Sequence, residues 1–124
     1  AQNRPTCFNQ LNGMFAFAIY DTKENQLTLC RDHVGIKPLF LYKEESTLIF
    51  ASELKVIKSI IGKKLTINGE AIPFFLHLGF IPQPLTIYNN TDKFPAAHYT
   101  QISVGENFPA DNEQEFKAFW KLEE

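Results

Sequence analysis

Cysteine is nearly absent: the chain holds only Cys7 and Cys30, far apart and in no CxxC spacing. Such a pair builds neither a thiolate metal site nor a disulfide framework, so both thiols are expected to be reduced, Cys30 as a small buried apolar residue. Histidine is equally sparse. His33, His77 and His98 stand singly, without a partner at metal-ligand spacing, and read as turn, helix-face and strand residues; no metal is expected. An excess of one charge is missing too. Twelve Lys and Arg against 14 Asp and Glu leave a formal net charge of -2, which offers no basic field to nucleic acid or to an anionic membrane surface. No apolar run approaches the ~20 residues of a membrane span and no signal-peptide pattern opens the chain, so a cytoplasmic setting is the expectation. The glycines of "NGMFAF" and "HVGIKP" make neither GxGxxG nor GxxxxGK[ST], which removes the usual phosphate cradles. Asn89-Asn90-Thr91 has the form of a glycosylation sequon, but in a chain with reduced cysteines a chance match is favoured. Internal repeats and low-complexity tracts are also lacking.

What is present fits a single soluble globular domain of 124 residues. The chain begins with alanine and reaches its first apolar run almost at once, so a piece of a longer protein is expected. In "NGMFAFAIYD", Phe15, Phe17 and Ile19 alternate with Met14, Ala16 and Ala18. Both faces are apolar, which predicts a strand of a central sheet covered on two sides. "DTKENQ" reads as a hairpin turn, "LTLC" as the returning strand, and "PLFLYK" and "TLIFAS" as two more strands about the polar "EES". The first half is therefore expected to be a β-meander. Helical spacing of Leu54, Ile57 and Ile61 predicts a helix from Ser52 as cap, with Glu53 at the positive end of its dipole. A second helix is expected over "GEAIPFFLHLG", capped by Asn68, regular from near Pro73 and ended by Gly79. "FIPQPLTIYNN", with two prolines within three residues, is a connector, and "AHYTQISV" one more strand. The last twenty residues read as a linker.

One stretch stands out. "LCRDHVGIKPLF" places Arg31, Asp32, His33 and Lys37 between two apolar runs. Charged side chains are seldom buried unless paired, so this is either a solvated turn or a buried network. Gly35 can supply the positive φ of a tight turn, and Pro38 stiffens the strand that follows. Arg31 and Asp32 can pair with each other's neighbours or with backbone groups.

With its neighbours this stretch becomes recognisable. "LNGMFAFAIYD", "RDHVGIKPLF", "FASELKVI", "LGFIPQPLTIY" and "KFPAAHY" stand in series, and together they resemble the later half of the class II glutaminase domain of glutamine-hydrolysing asparagine synthetases. The resemblance covers roughly residues 10 to 105. It implies an α+β fold, part of a four-layer αββα sandwich of the N-terminal-nucleophile-hydrolase type that lacks its N-terminal half. Residues 1–104 would be the C-terminal part of the glutaminase domain, and 105–124 a linker toward an absent synthetase domain. "FKAFWKLEE" resembles the passage that precedes that domain. In the family a cysteine exposed as first residue attacks glutamine, and its own α-amine can serve as base; Ala1 cannot do so, while Cys7 and Cys30 are internal. No catalytic residue is therefore assigned, and the chain alone is expected to be inactive. "NGE" at Asn68 to Glu70 lies in a helix-start context and is a coincidental match to the family's glutamine-pocket segment.

By the same resemblance Met14 and Ile36 lie beside an ammonia tunnel, with ordinary core packing as the alternative. Arg31, Asp32, Gly35 and Lys37 form either a satisfied turn or a contact surface for the partner domain. ATP and Mg2+ would belong to the synthetase domain, and none is expected in this chain. The implied partners are glutamine, aspartate, and the missing glutaminase half and synthetase domain of the same protein, with a homodimer left open. A relative that delivers nitrogen to another carboxylate or to a sugar, or a non-catalytic interaction module, are the competing functions. The chain departs from the family at Ala96-Ala97, where Pro-Gly is usual. A glycine-to-alanine exchange is expected to fail wherever φ must be positive.

Overall fold

A computed structural model describes residues 7–105 and 115–122. In chain order its strands are β1 (Ala16–Asp21), β2 (Gln26–Arg31), β3 (Phe40–Glu44), β4 (Thr47–Ala51), β5 (Thr91–Lys93), β6 (His98–Ser103) and β7 (Lys117–Ala118). Helices α1 (Leu54–Ile61) and α2 (Ala71–Leu78) fall between β4 and β5. The fold is α+β, and the chain forms two compact units: one runs up to Lys37 and resumes at Pro95, the other is Pro38–Phe94.

The first unit is an antiparallel sheet in the order β1-β2-β6-β7. Its β1–β2 hairpin closes where Asp21 Oδ1 accepts the N–H groups of Lys23 (2.9 Å) and Glu24 (3.3 Å) and Asn25 takes a positive φ of 48°. Aspartate and asparagine suit such a turn because their short polar side chains bond the nearby backbone. β1 is an edge strand with Ala18, Ile19 and Tyr20 exposed, and β2 takes the centre, buried from Thr28 to Arg31. The core beneath it is aromatic: Phe8, Cys30, Tyr99 and Phe119, with Phe15, Phe17 and Trp120 packed against them. Phe8 meets Tyr99 at 5.2 Å and Phe17 at 5.7 Å between ring centroids, geometry that adds about 0.5–1.5 kcal/mol per pair beyond area burial.

The second unit is a smaller antiparallel sheet in the order β4-β3-β5. The expected single meander is thus two hairpins in two sheets. Between them the charged turn interrupts the ladder, and Pro38 has no N–H to continue it. β5 was not expected as a strand, because three polar residues after a proline-rich connector carry no alternating pattern. It is placed by bonds from outside itself: Thr86 Oγ1 donates to Thr91 O (2.7 Å) and Lys43 N–H to Asn90 O (2.9 Å).

α1 buries Ile57 completely. Its cap position is Glu53, one residue beyond the expected Ser52; the Glu53 side chain makes no cap bond and pairs instead with Lys55 Nζ at 2.7 Å. α2 begins two residues before Pro73, so the proline lies in the first turn, where its missing N–H has no helical partner to lose. Asn68 organises that start by accepting the N–H of Glu70 on Oδ1 (3.0 Å) and that of Ala71 on its carbonyl (3.1 Å). Gly79, at φ 76°, ends the helix as expected. Only Ala71 of α2 is buried, while Ile72, Phe74, Phe75, Leu76 and Leu78 are exposed.

The expected linker is described only in part, since 106–114 and 123–124 lie outside the described residues. Within 115–122, Lys117–Ala118 pair with β6 and Phe119 enters the aromatic core. The Ala96-Ala97 departure has a definite outcome. Buried Ala97 adopts φ 59°, so the left-handed backbone persists with an alanine in it. That conformation costs an L-residue about 1–2 kcal/mol. Ala97→Gly relieves the strain but loses a buried methyl and loosens the unfolded chain, so it is expected to be neutral within about 1 kcal/mol. Ala97→Val, β-branched at positive φ, is expected to lose about 2–3 kcal/mol in urea titration.

Candidate functional site

The turn that follows β2 is built on two charged residues that are buried because backbone groups satisfy them. Asp32, 1% exposed, accepts the N–H of Val34 (3.2 Å) and Ile36 (2.9 Å) on Oδ1 and that of Lys37 (2.9 Å) on Oδ2. Burial by itself pushes its carboxyl up, but the N–H groups of Lys37, Ile36, Val34 and Gly35 outweigh it and hold the pKa below the usual aspartate value. Arg31 spans the same turn from the other side. Its Nε donates to Lys37 O and its Nη2 to Gly35 O, both at 2.7 Å. Burial draws the guanidinium pKa down, and the charge of Asp32 opposes that shift.

Gly35 has φ 70°, and a Cβ there would stand 3.1 Å from both Ala96 Cβ and Arg31 Cζ. Glycine is thus required twice, by the dihedral and by the space. Lys37 enters the network through its backbone N–H and carbonyl, and its side chain is exposed. Main-chain bonds fix the turn to three other segments. Asp32 N–H donates to Phe15 O (2.8 Å), Ala97 N–H to Asp32 O (2.8 Å), and Phe119 N–H to Ala97 O (2.9 Å).

This frame places Met14 one residue before Phe15 and bonds the backbone of Ile36 to Asp32. Both side chains are 57% exposed, and Val34 between them in the turn is 65% exposed. Neither Met14 nor Ile36 is buried by the described residues. Sequence reasoning missed Ala97 as a donor to the turn and Phe119 and Trp120 as its neighbours. The signal for the latter was available in the apolar "FKAFW", which composition alone had assigned to a linker.

Two free thiols are present, with Cys7 exposed and Cys30 buried. Burial is the main cause that pushes the Cys30 thiol up to about 12, so it stays protonated at neutral pH. Among the described residues no cluster of three metal-ligating side chains occurs, and no helix is long and apolar enough to cross a membrane.

Comparison with known proteins agrees with the motifs of the turn. The chain is 44% identical over 92 residues to a putative glutamine-hydrolysing asparagine synthetase 2 of Methanocaldococcus jannaschii, covering 73% of this chain and 18% of the relative. It is 37% identical over 98 residues to asparagine synthetase 3 of Bacillus subtilis, covering 78% and 16%. Asparagine synthetase B of Escherichia coli is 44% identical over 116 residues, covering 86% and 21%. The chain therefore spans only about a fifth of the length of these relatives. Residues 2–117 match the family described as the glutamine amidotransferase domain, and the chain belongs to that family.

Proposed function

We propose that this chain is the later part of the glutaminase half of a cytoplasmic, glutamine-dependent asparagine synthetase, and that it carries one wall of the route by which ammonia leaves that half. The overall reaction is glutamine, aspartate and ATP to asparagine, glutamate, AMP and diphosphate. ATP, with Mg2+, would be bound by a synthetase domain and not by these residues. On this reading the two sheets belong to a four-layer sandwich of the N-terminal-nucleophile type, and the exposed apolar side chains of α2 are surface for other parts of the enzyme to cover.

The observation that carries the proposal is the turn itself. A buried, fully hydrogen-bonded Arg31–Asp32 frame spends its polar groups on the backbone and leaves Ile36 and Met14 presented outward. Ammonia must travel unprotonated, because ammonium has no lone pair with which to attack the activated carboxyl of aspartate. A wall of thioether and branched alkane gives a water chain nothing to order on. The Asp32 carboxylate close by is held ionised by three N–H donors and so has no proton to give to ammonia at neutral pH. Neither internal cysteine fits the role of nucleophile: Cys30 is buried and protonated, and Cys7 lacks a free α-amine. The 124-residue chain is accordingly expected to release no glutamate from glutamine.

The test is uncoupling in the complete enzyme. Met14→Lys or Ile36→Asp is expected to leave glutamine hydrolysis within about twofold and to lower glutamine-driven synthesis tenfold or more, while synthesis from added ammonia survives. Met14→Leu, nearly volume-conserving, keeps full coupling. Because both side chains are exposed in this chain, the charged variants should shift its unfolding by no more than about 0.5 kcal/mol. Normal coupling in both charged variants defeats the proposal.

A further inference from the structure

Four aromatic rings from three separate segments meet beside the turn. The His33 ring stands edge-on to Phe119 and to Trp120 at 5.3 Å each, and to Phe15 at 6.1 Å, while Phe15 and Phe119 stack at 6.3 Å with 26° between planes. The backbone follows the same route, by the bonds that run from Phe119 through Ala97 and Asp32 to Phe15. Residues 117–120 are therefore held to the turn twice, once by the sheet edge and once by side chains.

We propose that His33 is a positioning residue: with Phe15 and Phe119 it clasps Trp120 onto the Asp32 turn, so that the stance of the chain leaving the sheet sets the stance of Ile36. The direction of the inference comes from the bonding. The Ile36 side chain is 57% exposed and its backbone N–H donates to Asp32, whose main-chain N–H and carbonyl are tied to Phe15, a ring of the clasp, and to Ala97, whose carbonyl accepts from Phe119. A displacement of Trp120 acts on His33, and through it on that row, as well as on the aromatic core against which Trp120 packs. His33 suits the wedge because its ring is small enough to stand edge-on between a phenyl and an indole. Its place next to Asp32 in sequence lets ring and carboxylate leave the backbone on adjacent residues. The functional consequence rests on the amidotransferase reading: a clasp that links the outgoing segment to the tunnel wall makes the wall responsive to whatever that segment is attached to.

Trp120 is the one tryptophan of the chain and reports on its own clasp. His33→Ala is expected to raise the acrylamide quenching of Trp120 at least about twofold, and His33→Phe, which restores an aromatic edge, to keep it near the starting value. Quenching unchanged in His33→Ala overturns the clasp, as does His33→Phe being as open as His33→Ala. In the complete enzyme the same pair is read by the ratio of glutamine-driven to ammonia-driven synthesis. There His33→Ala should lower the ratio about threefold or more at an unchanged glutaminase rate, with His33→Phe rescuing it. A ratio that does not move overturns the coupling. Should the unsubstituted enzyme make no asparagine while the fluorescence result holds, the clasp stands, and the asparagine synthetase reading falls together with the coupling built on it.

Discussion

Asp32→Ala is expected to destabilise the chain by about 3 kcal/mol, as three N–H groups lose their acceptor and Arg31 loses the charge beside it. The cost stays at that level because Val34, Ile36 and Lys37 are exposed, so water recovers part of what their N–H groups lose. Asp32→Asn separates charge from shape. Its amide oxygen can still accept from Val34 and Ile36, but the NH2 group then faces the N–H of Lys37, donor against donor, and about 2 kcal/mol should be lost. The pH dependence has a definite sign. The folded pKa of Asp32 lies below its unfolded value, so the folded state favours the carboxylate. This contribution is fully present above the ordinary aspartate value of about 3.9 and is lost as pH falls through the lower folded value. Urea midpoints of wild type and Asp32→Asn should therefore keep their gap from pH 7 down to about pH 4 and draw together as pH falls further. A gap that stays constant below about pH 4 would show that the carboxylate charge contributes nothing.

The network around Asp32 was legible in the sequence as a question more than as an answer. Gly35 and Pro38 marked a turn, and charges between apolar runs marked either a solvated turn or a buried network. The pairing itself was open, because sequence does not say that a carboxylate will face three backbone donors or that an arginine will bridge two carbonyls. Strand positions were legible wherever alternation was strong, as in β2, β3, β4 and β6. Sheet membership was not, since antiparallel hairpins look alike whether or not they share a ladder. The Ser52 cap failed by one residue, which is the usual uncertainty at a helix end. The clasp was hidden because Phe15, His33 and Trp120 are far apart in sequence; the β1–β2 pairing brings the first two together and the β6–β7 pairing adds the third.

Gly35→Ala carries the other large expected effect, and its two causes can be measured separately. Alanine at φ 70° costs about 1–2 kcal/mol of backbone strain. Its Cβ would also stand 3.1 Å from Ala96 Cβ and from Arg31 Cζ. The Ala96 methyl is fixed to the main chain, and the guanidinium is buried and held by two hydrogen bonds, so neither yields without breaking a contact; crowding of this kind adds about 1–3 kcal/mol. Reduced freedom of the unfolded chain returns about 0.4–1 kcal/mol. The net expectation is a loss of about 2–3 kcal/mol. A double-mutant cycle with Ala96→Gly divides it, because removing the facing methyl relieves the crowding and leaves the dihedral strain untouched. The pair should therefore be less unstable than the sum of the single variants by about 1 kcal/mol. If the two substitutions simply add, the crowding is borne by Arg31 alone. In that case Gly35→Ala should displace the guanidinium from the carbonyls of Gly35 and Lys37, and Arg31→Lys, which lacks the planar fork, should no longer destabilise on top of it.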